Sequence, residues 1–297
     1  MADYTALLNP ISGGGRAAAS WAPVARRLRE AGAAVRVERT RSREHAVELA
    51  AAAAADGSTV VAVGGDGLVR DAACGVVAAG GALAVVPAGR GNDLARTLGI
   101  PDDPGALAEL LLTTPPRAID VLEVNGVIVP GNVYAGIDAV ATAMINSSRW
   151  IPGPLLYRLA PVRAVLSWRP VRYTLTVDGR TRTMRGQTVV VGNSGAYGHG
   201  LRIVPPARLD DGLLDVLVVG DGPLRKIVSF MREAKAGTHL RRPEVGHETG
   251  REITLSADRP VPLCADGDQI GTLPATVRLL PAALRVIAPE PPAQPST

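Results

Sequence analysis

The 297-residue chain is poor in aromatic residues, lysine and cysteine. Aromatic side chains make up 3% of the residues, which leaves little surface for stacking bases and excludes nucleic acid as an expected partner. Lysine occurs only at Lys226 and Lys235, so the formal charge of +4 comes from arginine. An arginine-rich surface favours anionic partners such as phosphates or an acidic lipid surface, although a codon bias toward arginine explains the composition equally well.

Further absences exclude several classes of site. Cys74 and Cys264 form no CxxC pair, and the chain shows no leader and no apolar run of about 18 residues, so we expect a cytoplasmic protein with free thiols. Because no lysine precedes Lys226, neither a Walker loop nor the strand lysine of protein kinases is available. The dinucleotide-binding spacing Gly-x-Gly-x-x-Gly is missing after the first strand, and no serine lies in a Gly-x-Ser-x-Gly motif.

Two glycine-rich turns each follow an apolar run of β-forming residues. They are Val63-Gly64-Gly65-Asp66-Gly67 and Pro87-Ala88-Gly89-Arg90-Gly91-Asn92-Asp93. Glycine lets the backbone approach a ligand and present its N–H groups, as a phosphate site requires. The carboxylates of Asp66 and Asp93 would repel a bare phosphate, so their presence indicates a divalent cation between carboxylate and phosphate.

The first third of the chain alternates strands and helices. We predict strands at residues 4–8, 35–38, 59–63 and 83–86, separated by helices at 16–31, 42–55 and 68–79. Ser42 is the predicted cap of the second helix. Short apolar strands between helices predict a parallel sheet covered on both faces, with ligands at the carboxyl ends of the strands. We therefore predict an α/β domain over residues 1–115, onto which residues 281–288 pack back.

After residue 115 the pattern changes to alternating polar and apolar residues. Strands are predicted at residues 118–124, 173–177, 187–191, 213–219 and 251–255, with helices at 137–147, 155–167 and 224–236. Asp178-Gly179 is predicted to be a turn that follows the second of these strands. Residues 116–280 are thus predicted to form a β-rich, sandwich-like domain with inserted helices. The proline-rich residues 289–297 are predicted to be a disordered tail.

Five short motifs carry a family resemblance. In chain order they are Asn9-Pro10-x-Ser12-Gly13-Gly14, Gly64-Gly65-Asp66-Gly67, Pro87 to Asp93, Leu209-Asp210-Asp211-Gly212-Leu213-Leu214-Asp215 and Ala265-Asp266-Gly267-Asp268. In this order they resemble the diacylglycerol kinase catalytic family, which also includes sphingosine and ceramide kinases. The resemblance implies an NAD-kinase-like parallel sheet, a β-sandwich domain and a cleft between them in which ATP is attacked by a lipid hydroxyl.

The resemblance also implies a set of nucleotide-binding residues. By motif position they are Asn9, Pro10, Ser12, Gly13, Thr40, Gly64, Gly65, Asp66, Gly67, Leu68, Asp71, Gly89, Arg90, Asn92 and Asp93. Asp66 is also the candidate ligand of a catalytic Mg²⁺. The loop around Asp211 resembles a structural magnesium site, in which that carboxylate and the carbonyls of Arg208 and Leu213 hold the cation.

The last motif supplies a candidate general base. A primary alcohol is a poor nucleophile, and a carboxylate within reach of its proton allows attack without a free alkoxide. We predict that Asp266 is this base and that Asp268 orients metal or substrate, although the sequence leaves open which of the two takes the proton. Asp-Gly pairs are also common hairpin turns, and only the order of the motifs favours the functional interpretation.

The chain departs from the family pattern inside the glycine-rich turns. Leu68 stands where the family has threonine, Arg70 and Asp71 replace asparagine and glutamate, and Arg90 replaces a second threonine. Two hydroxyls expected near the phosphates are therefore missing. Arg90 is predicted to replace one of them by a charge-assisted contact with a phosphate oxygen, which leaves open whether ATP or another nucleotide is used.

The sequence thus predicts an ATP- and Mg²⁺-dependent kinase for a hydroxyl of diacylglycerol or a related lipid-like amphiphile. Two alternatives stay open: an NAD kinase, which shares the Gly-Gly-Asp-Gly turn, and a regulatory nucleotide-binding protein that has lost catalysis. The downstream aspartate motifs favour the lipid kinase.

Residues 150–172 mix large apolar side chains with arginines. This stretch is equally typical of a lipid-entry surface and of an amphipathic helix packed on the second domain. The sequence leaves open whether the protein contacts an anionic inner membrane face peripherally and whether it forms a homodimer. Asn193 and His199, in a glycine-rich stretch, are predicted to have a structural role in a loop.

Overall fold

The computed structural model of the chain describes residues 2–10, 14–147, 160, 162–198, 200–223 and 226–291. The chain forms two compact units, one of Met1–Ile119 with Ala282–Thr297 and the other of Asp120–Pro281. The transition between the units thus follows Pro115 and Pro116 by a few residues. Ser12, Gly13, His199 and residues 148–159 lie outside the described residues.

The first unit is built on a parallel sheet. Strands β1 (Asp3–Leu8), β2 (Ala34–Arg39), β3 (Thr59–Gly64) and β4 (Ala82–Pro87) lie in the order β2-β1-β3-β4. The end of β15 (Ala275–Val286) pairs in parallel with β4 through Arg285 and Val286. Residues 60–63 of the central strand β3 are all fully buried, as expected for a strand covered on both faces.

Three helices connect these strands and two more follow β4. They are α1 (Ala17–Glu30), α2 (Arg43–Ala55), α3 (Asp66–Ala79), α4 (Asp93–Thr97) and α5 (Pro104–Thr113). Helix α1 packs against α5, and α2 packs against α3. Because parallel crossovers are right-handed, the two pairs cover opposite faces of the sheet, which confirms the predicted α/β class. The predicted cap of α2 is present: the Ser42 hydroxyl accepts a hydrogen bond of 3.2 Å from the backbone N–H of His45.

The second unit is an antiparallel β-structure. Its strands are β5 (Arg117–Val124), β6 (Val127–Val129), β7 (Asn132–Gly136), β8 (Val171–Val177), β9 (Arg180–Gly192), β10 (Leu214–Gly220), β11 (Val245–Gly250), β12 (Glu252–Ala257), β13 (Pro262–Ala265), β14 (Asp268–Thr272) and the first part of β15. Strand β9 is long enough to pair with β8 through its first half and with β7 and β10 through its second half. The main core includes Leu122, Tyr173, Val191, Ile253 and Leu263.

Two helices cover the outer face of the β7-β9-β10 region. They are α6 (Ile137–Ser147) and α7 (Ile227–Ala236), and a second core of Tyr134, Ala139, Val190, Leu217 and Ala234 lies beneath them. Residues 162–167 are also helical, so the described part of the predicted helix at 155–167 is confirmed. Within the described residues, no helix combines the length and apolar character that crossing a membrane requires.

Three hairpins of the second unit turn through two residues with positive φ. They are Asn125-Gly126 between β5 and β6, Asp178-Gly179 between β8 and β9, and Asp266-Gly267 between β13 and β14. Positive φ at both positions is what a type I′ turn requires, and Asn-Gly and Asp-Gly supply it at least cost. The Asp-Gly of the last motif is therefore a hairpin turn as well as a candidate site element.

Candidate functional site

The loops that follow β1 to β4 lie along one edge of the parallel sheet, because all four strands point the same way. Two backbone hydrogen bonds tie neighbouring loops together: Thr40 N–H donates to the Leu8 carbonyl and Ala88 N–H donates to the Gly64 carbonyl, both at 2.9 Å. The structure thus brings together the predicted nucleotide-binding residues of the four loops. Ser12 and Gly13 lie outside the described residues.

The two glycine-rich turns pack directly against each other. A Cβ added at Gly65 would lie 3.2 Å from the Cα of Gly89, and one added at Gly91 would lie 2.7 Å from an Asp66 carboxylate oxygen. Only glycine allows this approach of the two backbones. The turns therefore form a single structure, as the sequence predicts for a phosphate cradle.

Asp66 is half-buried at the first residue of α3, where it meets the second turn. Its carboxylate accepts a hydrogen bond of 3.4 Å from the backbone N–H of Leu94. Burial and the neighbouring Asp93 carboxylate raise the pKa of Asp66, while backbone hydrogen bonds from Leu94, Asp93 and Asn92 oppose the rise. A divalent cation between the two carboxylates would remove their repulsion, so this pair fits a metal ligand set.

The side chains of two predicted nucleotide-binding residues form hydrogen bonds within the protein. The Asn92 amide closes the second turn, with its Oδ1 accepting from Gly89 N–H at 2.9 Å and its Nδ2 donating to the Gly89 carbonyl at 3.3 Å. The buried Thr40 hydroxyl donates to the Leu8 carbonyl at 3.3 Å. These side chains shape the loops.

The departures from the family pattern have different environments. Leu68 is 6% exposed and packs in the core. Arg70 is 3% exposed, and its guanidinium contacts the Asp71 carboxylate at 3.0 Å, while Arg43 approaches the same carboxylate at 3.3 Å. Arg90 is exposed in the second turn. Of these four replaced positions, Arg90 alone presents an exposed side chain.

The predicted magnesium loop of the second unit is held by a buried carboxylate. Asp120 is 4% exposed, and its Oδ2 accepts from Gly212 N–H at 2.8 Å, while its own N–H donates to the Leu209 carbonyl at 2.6 Å. Asp211 is exposed, and its Oδ1 accepts from Leu213 N–H at 3.1 Å. Within the described residues no three His, Cys, Asp or Glu side chains form a metal cluster, and the predicted ligand set for a cation here is one carboxylate plus backbone carbonyls. Such a set of hard oxygens suits Mg²⁺.

Asp215, at the end of the same motif, is paired with a histidine. Its carboxylate accepts a hydrogen bond of 2.6 Å from His247 Nε2 on the neighbouring strand β11. Burial raises the pKa of Asp215, and the bond from His247 opposes that rise. This contact joins the neighbouring strands β10 and β11 where the loop ends.

Asp266 is anchored to the start of β7. Its carboxylate accepts hydrogen bonds from Asn132 N–H at 2.9 Å and Gly131 N–H at 3.3 Å. Asn132 is 1% exposed, and its amide in turn bonds Ser194 and the carbonyl of Ala196. Both carboxylate oxygens of Asp266 thus accept backbone hydrogen bonds.

A polar cluster lies between α6 and strands β7, β9 and β13. Asp138 accepts hydrogen bonds of 2.6 Å from the hydroxyls of Thr188 and Tyr197, and the Tyr197 ring stacks on Tyr134 with centroids 5.0 Å apart. Burial raises the pKa of Asp138, and the two hydroxyl hydrogen bonds oppose the rise.

Asp268 lies opposite Ala265 in the β13–β14 pair, next to Cys264 of the second core. Burial raises the pKa of the Cys264 thiol, and the charges of Asp138 and Asp268 add to that rise. Asp268 is half-buried at the first residue of β14.

Sequence reasoning missed Asp120, Asn132 and Asp138. Asp120 interrupts an apolar run between Ile119 and Val121, and Asn132 begins an otherwise apolar strand, which was a usable signal. Asp138 lies in the first turn of a helix and resembles an ordinary cap. The predicted loop role of Asn193 agrees with its contacts, because its buried side-chain amide donates to the carbonyls of Asp120 and Pro130 at 2.7 and 2.9 Å.

Comparisons with known proteins match both halves of the chain. Residues 3–124 match the diacylglycerol kinase catalytic domain, and residues 131–288 match the YegS C-terminal NAD kinase beta sandwich-like domain. A diacylglycerol kinase of Mycobacterium tuberculosis is 35% identical over 295 residues, covering 96% of this chain and 94% of that protein. One from Staphylococcus aureus is 26% identical over 234 residues, covering 77% of this chain and 74% of that protein.

The fold has solved counterparts. The crystal structure of a diacylglycerol kinase from Bacillus anthracis matches with a TM-score of 0.77 at 21% identity, covering 97% of each chain. At this identity the likeness supports the fold alone.

Proposed function

Because this chain belongs to the diacylglycerol kinase catalytic-domain family, we propose that it transfers the γ-phosphate of ATP to a hydroxyl of diacylglycerol or a related lipid-like amphiphile, with Mg²⁺ as cofactor. Family membership makes the protein a phosphotransferase with an alcohol acceptor and implies that it uses a nucleotide. The identity of the nucleotide, the metal and the acceptor is the proposed part.

The paired glycine-rich turns are the observation that carries the nucleotide half of this proposal. The approach of Gly65 to Gly89 places the two turns and the N-terminus of α3 beside a carboxylate pair, Asp66 and Asp93, a combination that suits a phosphate and its cation. Asp66 would hold the catalytic Mg²⁺, which when bound neutralises charge on the transferring phosphoryl group. The exposed Arg90 supplies a bidentate donor toward a phosphate oxygen.

The last motif supplies the proton acceptor. The sequence interpretation assigned this role to Asp266, but both carboxylate oxygens of Asp266 accept backbone hydrogen bonds from residues 131 and 132. A carboxylate used in this way holds the turn in place. We therefore propose that Asp268 accepts the proton of the lipid hydroxyl and that Asp266 positions Asp268.

The loop around Asp211 is proposed as a second, structural Mg²⁺ site. Asp211 and the carbonyls of Arg208 and Leu213 supply the oxygens, and the hydrogen bond from Gly212 to Asp120 fixes the loop. This cation stabilises the second unit and takes no part in phosphoryl transfer.

An assay with radiolabelled ATP tests the proposal. Purified protein with Mg²⁺ is given diacylglycerol, ceramide, sphingosine or monoacylglycerol in mixed micelles, a total lipid extract, or NAD, and Asp66→Ala is the control. We expect label in diacylglycerol or a related lipid and none with Asp66→Ala. Label in NAD alone would establish the NAD kinase alternative, and nucleotide binding without transfer to any acceptor would establish the regulatory one.

A further inference from the structure

The outer face of α7 carries an exposed stripe of apolar and basic side chains. Val228 is 76% exposed and Met231 43% exposed, and Arg232 and Lys235 are exposed beside them. The four residues occupy positions i, i+3, i+4 and i+7 of the helix, so they lie on one face. We call this set, Val228, Met231, Arg232 and Lys235, the α7 stripe.

The opposite face of α7 fixes the orientation of the stripe. Ala234 is fully buried and Phe230 packs against the second core cluster. Glu233 is bound by Arg242 at 2.6 Å, and Arg242 also donates to the Ser229 hydroxyl at 2.7 Å. The helix is therefore held by packing and ion pairs on its inner side, and the stripe faces outward.

The charges around α7 are arranged so that the stripe is cationic. The nearest acidic side chain on the helix, Glu233, is neutralised by Arg242, and Glu244 lies 3.2 Å from Arg242 and 3.8 Å from Lys226. Arg232 and Lys235 thus flank two exposed apolar side chains without a carboxylate between them on the stripe. The only two lysines of an arginine-rich chain, Lys226 and Lys235, both lie at this helix.

We propose that the α7 stripe docks on an anionic phospholipid surface. Basic side chains reach the phosphate headgroups while their aliphatic stems and the neighbouring apolar residues enter the headgroup region, and this combination is typical of interfacial helices. Each basic side chain increases the partition coefficient of the protein onto an anionic surface about fivefold. The choice of a membrane over an acidic protein rests on the proposed function, since diacylglycerol resides in bilayers.

Vesicle sedimentation without nucleotide tests the stripe. We expect wild-type protein to bind vesicles rich in phosphatidylglycerol and not vesicles of phosphatidylcholine alone. Arg232→Glu/Lys235→Glu should weaken this binding at least about twentyfold, since two cations at about fivefold each are removed, and Val228→Ser/Met231→Ser should weaken it as well. The matched control is Arg26→Glu/Arg36→Glu, which makes the same charge change at side chains that are 71% and 57% exposed in the first unit.

The two lysines give a second readout at residue level. Acetylation by an amine-reactive ester, read by peptide mass spectrometry, should slow at Lys235 when anionic vesicles are present. Lys226 is the internal reference, because it precedes the helix and lies 3.8 Å from Glu244, on a different side of the helix from the α7 stripe. Unchanged acetylation of Lys235 would overturn the proposal.

Three other outcomes would overturn the proposal. The first is an equal loss of binding in the control variant, which would show attraction to net charge alone. The second is full binding by both stripe variants. The third is a change from dimer to monomer in the stripe variants without lipid, which would make the stripe an interface between two copies. The stripe variants should still phosphorylate diacylglycerol in micelles. A failure of the stripe proposal can therefore be distinguished from a failure of the proposed function.

Discussion

The carboxylate of Asp266 accepts a 2.9 Å hydrogen bond from the backbone N–H of Asn132, more than 130 residues earlier in the chain. The backbone N–H of Asp266 returns a bond of 3.2 Å to the Asn132 carbonyl. This reciprocal pair ties the β13–β14 turn to the start of β7. Asp268, two residues later, is thereby fixed on a rigid hairpin.

The first prediction concerns the stability that this contact supplies. Asp266→Ala leaves the N–H groups of Gly131 and Asn132 without their acceptor, so we expect the free energy of unfolding to fall by about 1–3 kcal/mol. Asp266→Asn keeps an amide oxygen for Asn132 and should cost less. Urea denaturation measures both, and equal midpoints for wild type and Asp266→Ala would show that the anchor contributes nothing.

The second prediction separates the base from its anchor. Asp268→Asn removes the proposed proton acceptor while keeping the shape of the side chain, so kcat should fall by about 10²–10⁴-fold with an unchanged melting temperature. Asp266→Asn should retain most of kcat. If Asp266→Asn instead loses kcat and Asp268→Asn retains it, the roles are reversed.

The fold was largely predictable because local signals agree with it. The apolar runs of β1 to β4, the Ser42 cap and the Asp178-Gly179 hairpin turn all appear in the structure where the sequence places them. Each depends on neighbouring residues, so periodicity and turn chemistry suffice to find it.

The site was less predictable because its side chains are held by distant segments. Asp120 holds the loop at Gly212, and Asn132 holds Asp266, across 92 and 134 residues respectively. No local pattern reports such pairs. The same limit applies to Asp71, which pairs with Arg43 of the preceding helix.

The third prediction follows from the raised pKa of Asp66. Burial and Asp93 disfavour its ionised form in the folded protein, so stability is lost as the pH rises from the ordinary aspartate pKa of 3.8 through the raised folded pKa. Asp66→Asn removes this penalty, and its melting temperature should exceed that of wild type at neutral pH. The difference should shrink as the pH falls toward 3.8.

One control accompanies the Asp66 variant in calorimetry. Mg²⁺ with nucleotide should raise the melting temperature of wild type and not that of Asp66→Asn, because the cation ligand is gone. A variant that is less stable than wild type at neutral pH would contradict the raised pKa.

The fourth prediction concerns Arg90, whose exposed side chain stands where the family has threonine. Arg90→Thr replaces a charged bidentate donor by a neutral hydroxyl, so KM for ATP should rise while the melting temperature stays the same. Arg26→Thr, in helix α1, is the matched control because its side chain is 71% exposed and lies outside the glycine-rich turns. An unchanged KM in Arg90→Thr would remove Arg90 from the nucleotide site.

The fifth prediction concerns the buried pair of Arg70 and Asp71. Asp71→Ala removes the carboxylate that Arg70 contacts at 3.0 Å in a site where Arg70 is 3% exposed, so the free energy of unfolding should fall by about 3–5 kcal/mol. Arg70→Met should cost less, because Asp71 keeps Arg43 at 3.3 Å and an unbranched apolar side chain fills the space. The loss of unfolding free energy in the double variant should be smaller than the sum of the losses in the two single variants. The reason is that the double variant no longer contains the buried arginine charge that Asp71→Ala leaves without its partner. Strict additivity in urea denaturation would show that the two side chains do not stabilise each other.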